Sequence, residues 1–303
     1  MHRIVLTVAI LLVAAQLSVI NNAARLPAEL YWQNVLPHTP MPSIIHELMT
    51  AKRGTVTVNA IYRPLYYEST TTEFPSDPNL FFLEEELHSG AGMKPGLSFL
   101  RTISGDAFLP RAEAEALPFS SNELMQILNR LSIPLDSQRA KEVEVTLHDC
   151  EAPAAAAAGE RTYCATSLES MIDFVTSELK TRDIEVAATT TPLQHGGGTE
   201  QAQHDYDYRI APSGPRKMPG ENLVACHPEP YPHAVYYCHR TGATKAYAVP
   251  LVGKAAATVT AVAACHSDTK NWNPIFFKVL KVKPGTVLCH FLPQDHIIWT
   301  PSH

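Results

Sequence analysis

Apolar residues recur at helical spacing in two stretches of this chain. Leu124, Ile127, Leu128 and Leu131 share one face. Ser120 and Glu123 stand before them at capping-box spacing, and Pro134 follows as a stop. Leu168, Met171, Ile172, Val175 and Leu179 repeat the pattern behind Thr166 and Glu169, which have the same spacing; this is the clearest helix in the chain. Elsewhere the period is two. Val143, Val145 and Leu147 alternate with polar residues and predict a strand running into Cys150. Residues 187–220, with Gly196-Gly197-Gly198, acidic residues and two tyrosines, read as loop. Beyond them Ala246–Val249 and Thr258–Val262 carry β-branched residues and read as strands. Phe276–Val282 reads as a further strand approaching a Pro284-Gly285 turn, with Val287–Phe291 as the return strand. Helices first and an antiparallel sheet last predict an α+β fold.

The N-terminal part divides in two. Residues 1–24 carry Arg3, an apolar run from Ile4 to Ala15 broken only by Thr7, and small residues at Ala23-Ala24, the pattern of a secretory signal peptide. Gln16, Ser18 and Asn21 interrupt the run short of the roughly 20 residues a membrane span needs. Residues 25–79 read as a short extension: Pro37, Pro40 and Pro42 argue for an extended lead-in, and Thr70 to Pro78 for a linker. No internal repeat is present. The folded domain is expected over residues 80–303.

A formal net charge of −6 without a basic block argues against nucleic-acid binding, which needs clustered Lys and Arg. Six cysteines are an even number, consistent with disulfides in an oxidising compartment. Cys150 and Cys164 are sequence neighbours in that set and form a natural pair. No Asn-x-Ser/Thr sequon, GxSxG, P-loop, HExxH or GxGxxG motif occurs. Glu84-Glu85-Glu86 reads as a charged surface rather than a pair of catalytic carboxyls.

The remaining four cysteines carry the chemistry. Each is followed by histidine: Cys226-His227, Cys238-His239, Cys265-His266 and Cys289-His290. With 6 Cys and 14 His in 303 residues, chance predicts roughly 0.3 such pairs. Neighbouring residues on a strand point to opposite faces, so each pair offers a thiol to one side and an imidazole to the other. The four cysteines can pair in three ways, which the sequence does not decide. Once they are oxidised, His227, His239, His266 and His290 supply nitrogens and no thiolate. An all-nitrogen set favours Cu(II), with zinc the competitor; structural zinc more typically shows CxxC spacing. The plainer reading is a disulfide scaffold with hydrogen-bonded histidines. Trp272 and Trp299 read as core residues and His148 as structural. His195 and His204 read as solvated and His233 as a substitute ligand, while His296 and His303 carry little signal.

The intervals between the pairs are 10, 25 and 22 residues, and Trp299 follows after eight more. This framework resembles the plant BURP domain, with a third interval slightly shorter than usual there. Phe81-Phe82 with Leu87, Gly90 and Met93, and Cys150-Glu151 with Gly159-Glu160 and Cys164–Met171, are similar to that family's entry and central motifs. Tyr31–Pro37 with Pro40-Met41-Pro42 is similar to a segment many members carry before the domain.

The resemblance implies three roles. Some members are copper-dependent peptide cyclases whose CH histidines hold copper while a Tyr or Trp of the same chain is crosslinked. Others resemble the non-catalytic β subunit of polygalacturonase, with a wall enzyme or cell-wall polysaccharide as partner. Others are secreted seed, stress or anther proteins, and some seed members are sorted to the vacuole. A cyclase needs a core peptide, often repeated. Here the candidates are single: Tyr66-Tyr67 and Tyr206 with Tyr208. The expectation is therefore a structural, developmental or stress-related protein of the apoplast or wall, with a histidine metal site.

Overall fold

The computed structural model describes residues 27–51, 57–58, 78–104, 107–152, 161–191, 207–220, 222–253 and 258–303. The expected signal peptide (1–24), Tyr66, Tyr67, residues 70–77 of the expected linker, Gly159-Glu160, His195, Gly196–Gly198, His204 and Tyr206 lie outside them.

Two antiparallel sheets form the C-terminal part, as the α+β expectation requires. One runs β4 (Thr162–Ala165), β9 (Val235–Thr241), β8 (Leu223–Glu229), β13 (Ile297–Pro301), β5 (Ile184–Ala187). The other runs β2 (Phe81–Leu83), β12 (Leu288–Phe291), β11 (Thr258–His266), β10 (Thr244–Val252), β6 (Arg209–Ile210), with β7 (Arg216–Lys217) also on β10. From β8 onward the chain crosses between the sheets twice. Gly242-Ala243 carry β9 into β10, and Leu292–His296 carry β12 into β13.

Alternation along the strands builds three layers of core. Val224, Cys226, Cys238, Ile297 and Trp299 face helix α6 (Leu168–Leu179), burying Leu168, Met171, Ile172 and Val175. Val259, Ala261, Ala263, Cys265 and Cys289 face a second core with Phe81, Phe82, Phe99 and Phe277. The faces turned away from the cysteines meet each other. Leu223, Ala225 and Ile298 of one sheet pack there on Ala246 and Val262 of the other. Beside this seam, Val235 and Tyr231 pack on α4 (Leu124–Arg130) and α5 (Gln138–Glu151).

The structure corrects several local readings. Residues 143–147 lie in α5, not in a strand. Ser137 caps it by accepting from the Ala140 amide, and Ala140, Val143 and Leu147 then bury one face. Helical spacing over 14 residues outweighs a five-residue alternation. Residues 276–280 lie in α7 (Pro274–Leu280). Asn273 caps it through its side chain and Pro274 holds the first position, so the Phe-Phe pair packs from a helix rather than a strand. The expected Pro284-Gly285 turn is present, with Gly285 at φ 88° and the Thr286 amide donating to the Lys283 carbonyl. β12 follows it as expected, but its partners are β11 and β2.

The expected boxes also differ. Ser167 and Ser170, not Thr166 and Glu169, cap α6 reciprocally. Ser120 donates its hydroxyl to Glu151 at the far end of α5 instead of capping α4. The segment around Pro37, Pro40 and Pro42 is not an extended lead-in. It joins α1 (Pro27–Val35) to α2 (Ser43–Thr50), and Trp32, Leu36, Ile44, Ile45 and Leu48 enter the α6 core. Trp32 lies 5.7 Å from Trp299, ring to ring, and donates its indole N–H to the Thr39 carbonyl. The Arg111 guanidinium, on the short helix α3 (Arg111–Glu115), lies over the Tyr31 ring and pairs with Asp173, which also accepts the Tyr31 hydroxyl.

Candidate metal centre

The disulfides set the geometry. Cys226 lies directly opposite Cys238 on paired strands, and Cys265 directly opposite Cys289; both pairs are bonded, as is Cys150 with Cys164. Among the described residues no cysteine is free. On the other face of each strand pair, the histidine following each cysteine is displaced by one residue in opposite directions. His227 therefore lies across from Tyr237 and His239 across from Ala225. Likewise His266 is across from Leu288, and His290 from Ala264. Each histidine pair is thus a diagonal neighbour pair, within reach of long side chains. The His227 and His239 Nε2 atoms are 3.2 Å apart, and those of His266 and His290 are 3.3 Å apart.

These separations fit a shared ion. Two nitrogens bound at about 2.0–2.1 Å lie about 2.9 Å apart at right angles and about 3.3 Å apart at the tetrahedral angle. The donors come in twos. Among the described residues, no group of three or more His, Cys, Asp or Glu side chains is assembled to hold a metal ion. The structure thus brings the four expected nitrogens together as two close pairs, one on each sheet.

Hydrogen bonds around the second pair limit its tautomers. The His290 Nδ1–H donates to the Phe291 carbonyl (3.3 Å), which leaves the Nε2 lone pair aimed at His266. His266 Nδ1 lies 3.1 Å from the Thr244 hydroxyl, which can accept or donate. With His266 carrying its proton on Nε2, the two rings hydrogen-bond each other. Moving that proton to Nδ1, where Thr244 accepts it, turns two lone pairs toward one point. Phe81 and Trp272 flank the pair, 5.5 Å from His290 and 4.9 Å from His266.

The first pair has a further histidine. His227 Nδ1 is 2.8 Å from His296 Nδ1, and His296 Nε2 is 2.9 Å from the Thr102 hydroxyl. His296 is buried on the Leu292–His296 crossing, which is held by the Tyr236 hydroxyl on the Asp295 carbonyl and the Thr189 hydroxyl on the Leu292 carbonyl. The sequence offered little sign of it, because a crossing has no alternation to assign its face. The available cue was position, six residues after His290 and three before Trp299.

Burial is the main reason His227, His266, His290 and His296 resist protonation; neighbouring rings add to it at His227, His266 and His296, while the bond to the Phe291 carbonyl opposes it at His290. Burial pushes His296 down to about 3 and His290 to about 4. His227 falls well below its ordinary value, with His296, His239, His290 and His266 adding to the effect; His266 falls likewise through burial, His290 and His239. Rings on the two sheets therefore feel one another across the seam. Neutral imidazole is the metal-ligating form.

The other residues singled out from sequence sit elsewhere. Tyr208 is buried beside Phe99 in the core behind Cys265–Cys289. His233 is buried edge-on against Tyr231, and His148 is exposed on α5. Trp299 is fully buried, and Trp272 packs between His266 and Phe276. The buried Glu229 has one oxygen without a hydrogen-bond partner among the described residues, and burial, aided by Asp149, raises it to about 8.

A two-sheet fold with opposed cysteines in front of diagonal histidines defines a disulfide-stapled domain class. The BURP domain profile matches residues 80–301, and this chain belongs to the BURP domain family. It is 45% identical over 299 residues to BURP domain-containing protein 5 of Oryza sativa subsp. japonica, covering 92% of this chain and 88% of that one. BURP domain-containing protein 3 of the same rice is 50% identical over 241 residues, 78% of this chain and 54% of that protein. BURP domain protein RD22 of Arabidopsis thaliana is 42% identical over 244 residues, 77% of this chain and 59% of that protein. The chain thus spans little more than half the length of two of these three relatives. No helix among the described residues is long and apolar enough to cross a membrane.

Proposed function

We propose that this chain is a secreted plant protein of the apoplast or cell wall that binds metal, copper first, at the His227–His239 and His266–His290 pairs, in a structural, developmental or stress-related role. One observation carries the metal reading: each cysteine–histidine strand pair sets two imidazole nitrogens 3.2 or 3.3 Å apart on the face away from its disulfide. Copper supplies Lewis acidity and redox capacity when bound. The chain supplies neutral nitrogens, a water-poor seam, and Thr244 and the Phe291 carbonyl to orient the rings. The test is titration of the oxidised protein with Cu(II) and Zn(II), read by calorimetry and metal analysis. Binding that survives loss of both pairs refutes this reading. A wall partner, whether a polysaccharide or polygalacturonase, rests on the family resemblance and is tested by pectate binding and co-purification.

A second reading, copper-dependent self-crosslinking, is favoured by where the stretch 59–77 is anchored. It leaves from β1 (Thr57–Val58), which pairs with β3 (Ile103–Ser104) next to the Thr102 that contacts His296. It returns into Phe81, which packs on His290. Tyr66 and Tyr67 belong to this stretch. Peptide mapping decides between the readings. Loss of about two hydrogens from a tyrosine peptide, dependent on Cu(II), with the two electrons passing to two Cu(II) ions or to dioxygen and distinct from disulfide formation, makes the protein an enzyme acting on itself; an unchanged map supports the binding role.

A further inference from the structure

We infer that His296 is a positioning residue for the first histidine pair: it accepts the Nδ1–H of His227, so that the His227 Nε2 lone pair is presented to a metal shared with His239. This rests on the metal-binding reading above and extends it to a residue outside the cysteine–histidine framework.

The argument is one of hydrogen-bond polarity. A neutral imidazole has one N–H and one lone pair. His227 faces His239 through Nε2 and His296 through Nδ1. If Nε2 is to bind an ion, the proton of His227 must sit on Nδ1, and the atom facing it must accept. His296 Nδ1, at 2.8 Å, is that atom. It can accept only when His296 carries its own proton on Nε2, which faces the Thr102 hydroxyl at 2.9 Å. The chain His227 Nδ1–H to His296 Nδ1, then His296 Nε2–H to Thr102 Oγ1, is thus complete and runs in one direction. Metal-bound histidines commonly donate the other ring N–H to an outer partner, and loss of that partner typically costs 10–100-fold in affinity.

The placement of His296 suits the role. It lies on the crossing between β12 and β13, anchored at Leu292 by Thr189 and Val262 and at Asp295 by Tyr236. It is buried, so water does not compete for the Nδ1 bond. The second pair performs the same task with local atoms, the Phe291 carbonyl and the Thr244 hydroxyl.

The test uses the full oxidised chain, with Zn(II) as a diamagnetic probe and Cu(II) in parallel. In the wild-type protein, nitrogen-15 NMR should show His227 as the Nδ1–H tautomer when zinc is bound, with scalar coupling across the Nδ1–H···Nδ1 bond to His296. His296→Leu should abolish the coupling and weaken binding at the first pair by about 10–100-fold. His296→Gln, whose side-chain oxygen can accept, should recover most of that loss; melting temperatures identify variants that fail to fold. Unchanged affinity and tautomer in a folded His296→Leu protein overturn the positioning role while leaving the metal reading intact. A wild-type protein that shows the coupling but binds neither metal overturns the metal reading, and with it any function for the bond beyond structure.

Discussion

The two histidine pairs are built on one plan and held in different ways. In both, a disulfide joins directly opposed cysteines and the imidazoles are diagonal neighbours behind it. The second pair is oriented from within its own sheet, by Thr244 on β10 and the Phe291 carbonyl on β12, and is covered by Trp272. The first pair borrows its support from outside, through His296 on a crossing and Thr102 beside β3. Identical dipeptides therefore give equal distances without giving equal dependence on the rest of the fold. The second pair should tolerate distant change; the first should register it.

The strongest way to break the comparison is to take one ring from each pair. His227→Ala with His290→Ala should abolish metal binding, measured by metal analysis after dialysis, and full stoichiometry in that double variant would remove the site. Either single variant should leave about half of the binding, because the intact sheet keeps two nitrogens. Next in size is the disulfide that touches neither pair. Cys150→Ser opens a loop spanning 14 residues and should cost about 3 kcal/mol of thermal stability on the chain-entropy account, without releasing metal. Loss of metal in that variant would tie the helical side of the molecule to the site.

Acid should act on both regions at once. His290 and His296 fall from about 6.5 in the unfolded chain to about 4 and about 3 when folded. The unfolded chain thus binds more protons in this window, and stability present above pH 6.5 is lost progressively as pH falls through about 4 and then about 3. Glu229 has the opposite sign. Its folded value of about 8, against 4.5 unfolded, means that its contribution is full below pH 4.5 and is lost as pH rises through 8. Denaturation midpoints against pH should therefore fall on both sides, and Glu229→Gln should flatten only the upper side. The smallest expected effects sharpen the contrast between the pairs. Thr244→Val removes a partner of a ligand ring and should weaken the second pair roughly tenfold. Thr102→Val acts one ring further out and should weaken the first pair less.

The cysteine–histidine framework was legible in the sequence because strand alternation is a property of the backbone. Once the dipeptides lie on strands, thiol and imidazole must part company. The choice among three pairings was not legible, because it depends on which strands become neighbours: β8 with β9, and β11 with β12. His296 escaped for a related reason, since its face is set by the two sheets its crossing joins. The strand expected at 276–282 failed because an apolar run without clear alternation suits either element, and Asn273-Pro274 decided for helix. At Val143–Leu147 a short alternation imitated a strand inside a helix whose cap, Ser137, lies six residues earlier.

The packing of Trp32 against Trp299 bears on how this protein is to be handled. The family match starts at residue 80, and that is where a recombinant fragment would naturally be cut. Such a fragment would lack Trp32, Leu36, Ile44, Ile45 and Leu48, and would leave an apolar trough along α6 and β13 open to water. Removing one buried tryptophan alone costs about 3–5 kcal/mol, a large share of the stability of a typical domain. The segment that sequence comparison assigns to the outside of the domain is, mechanically, its keystone, and fragments cut at the motif boundary should be expected to aggregate before they reveal any chemistry.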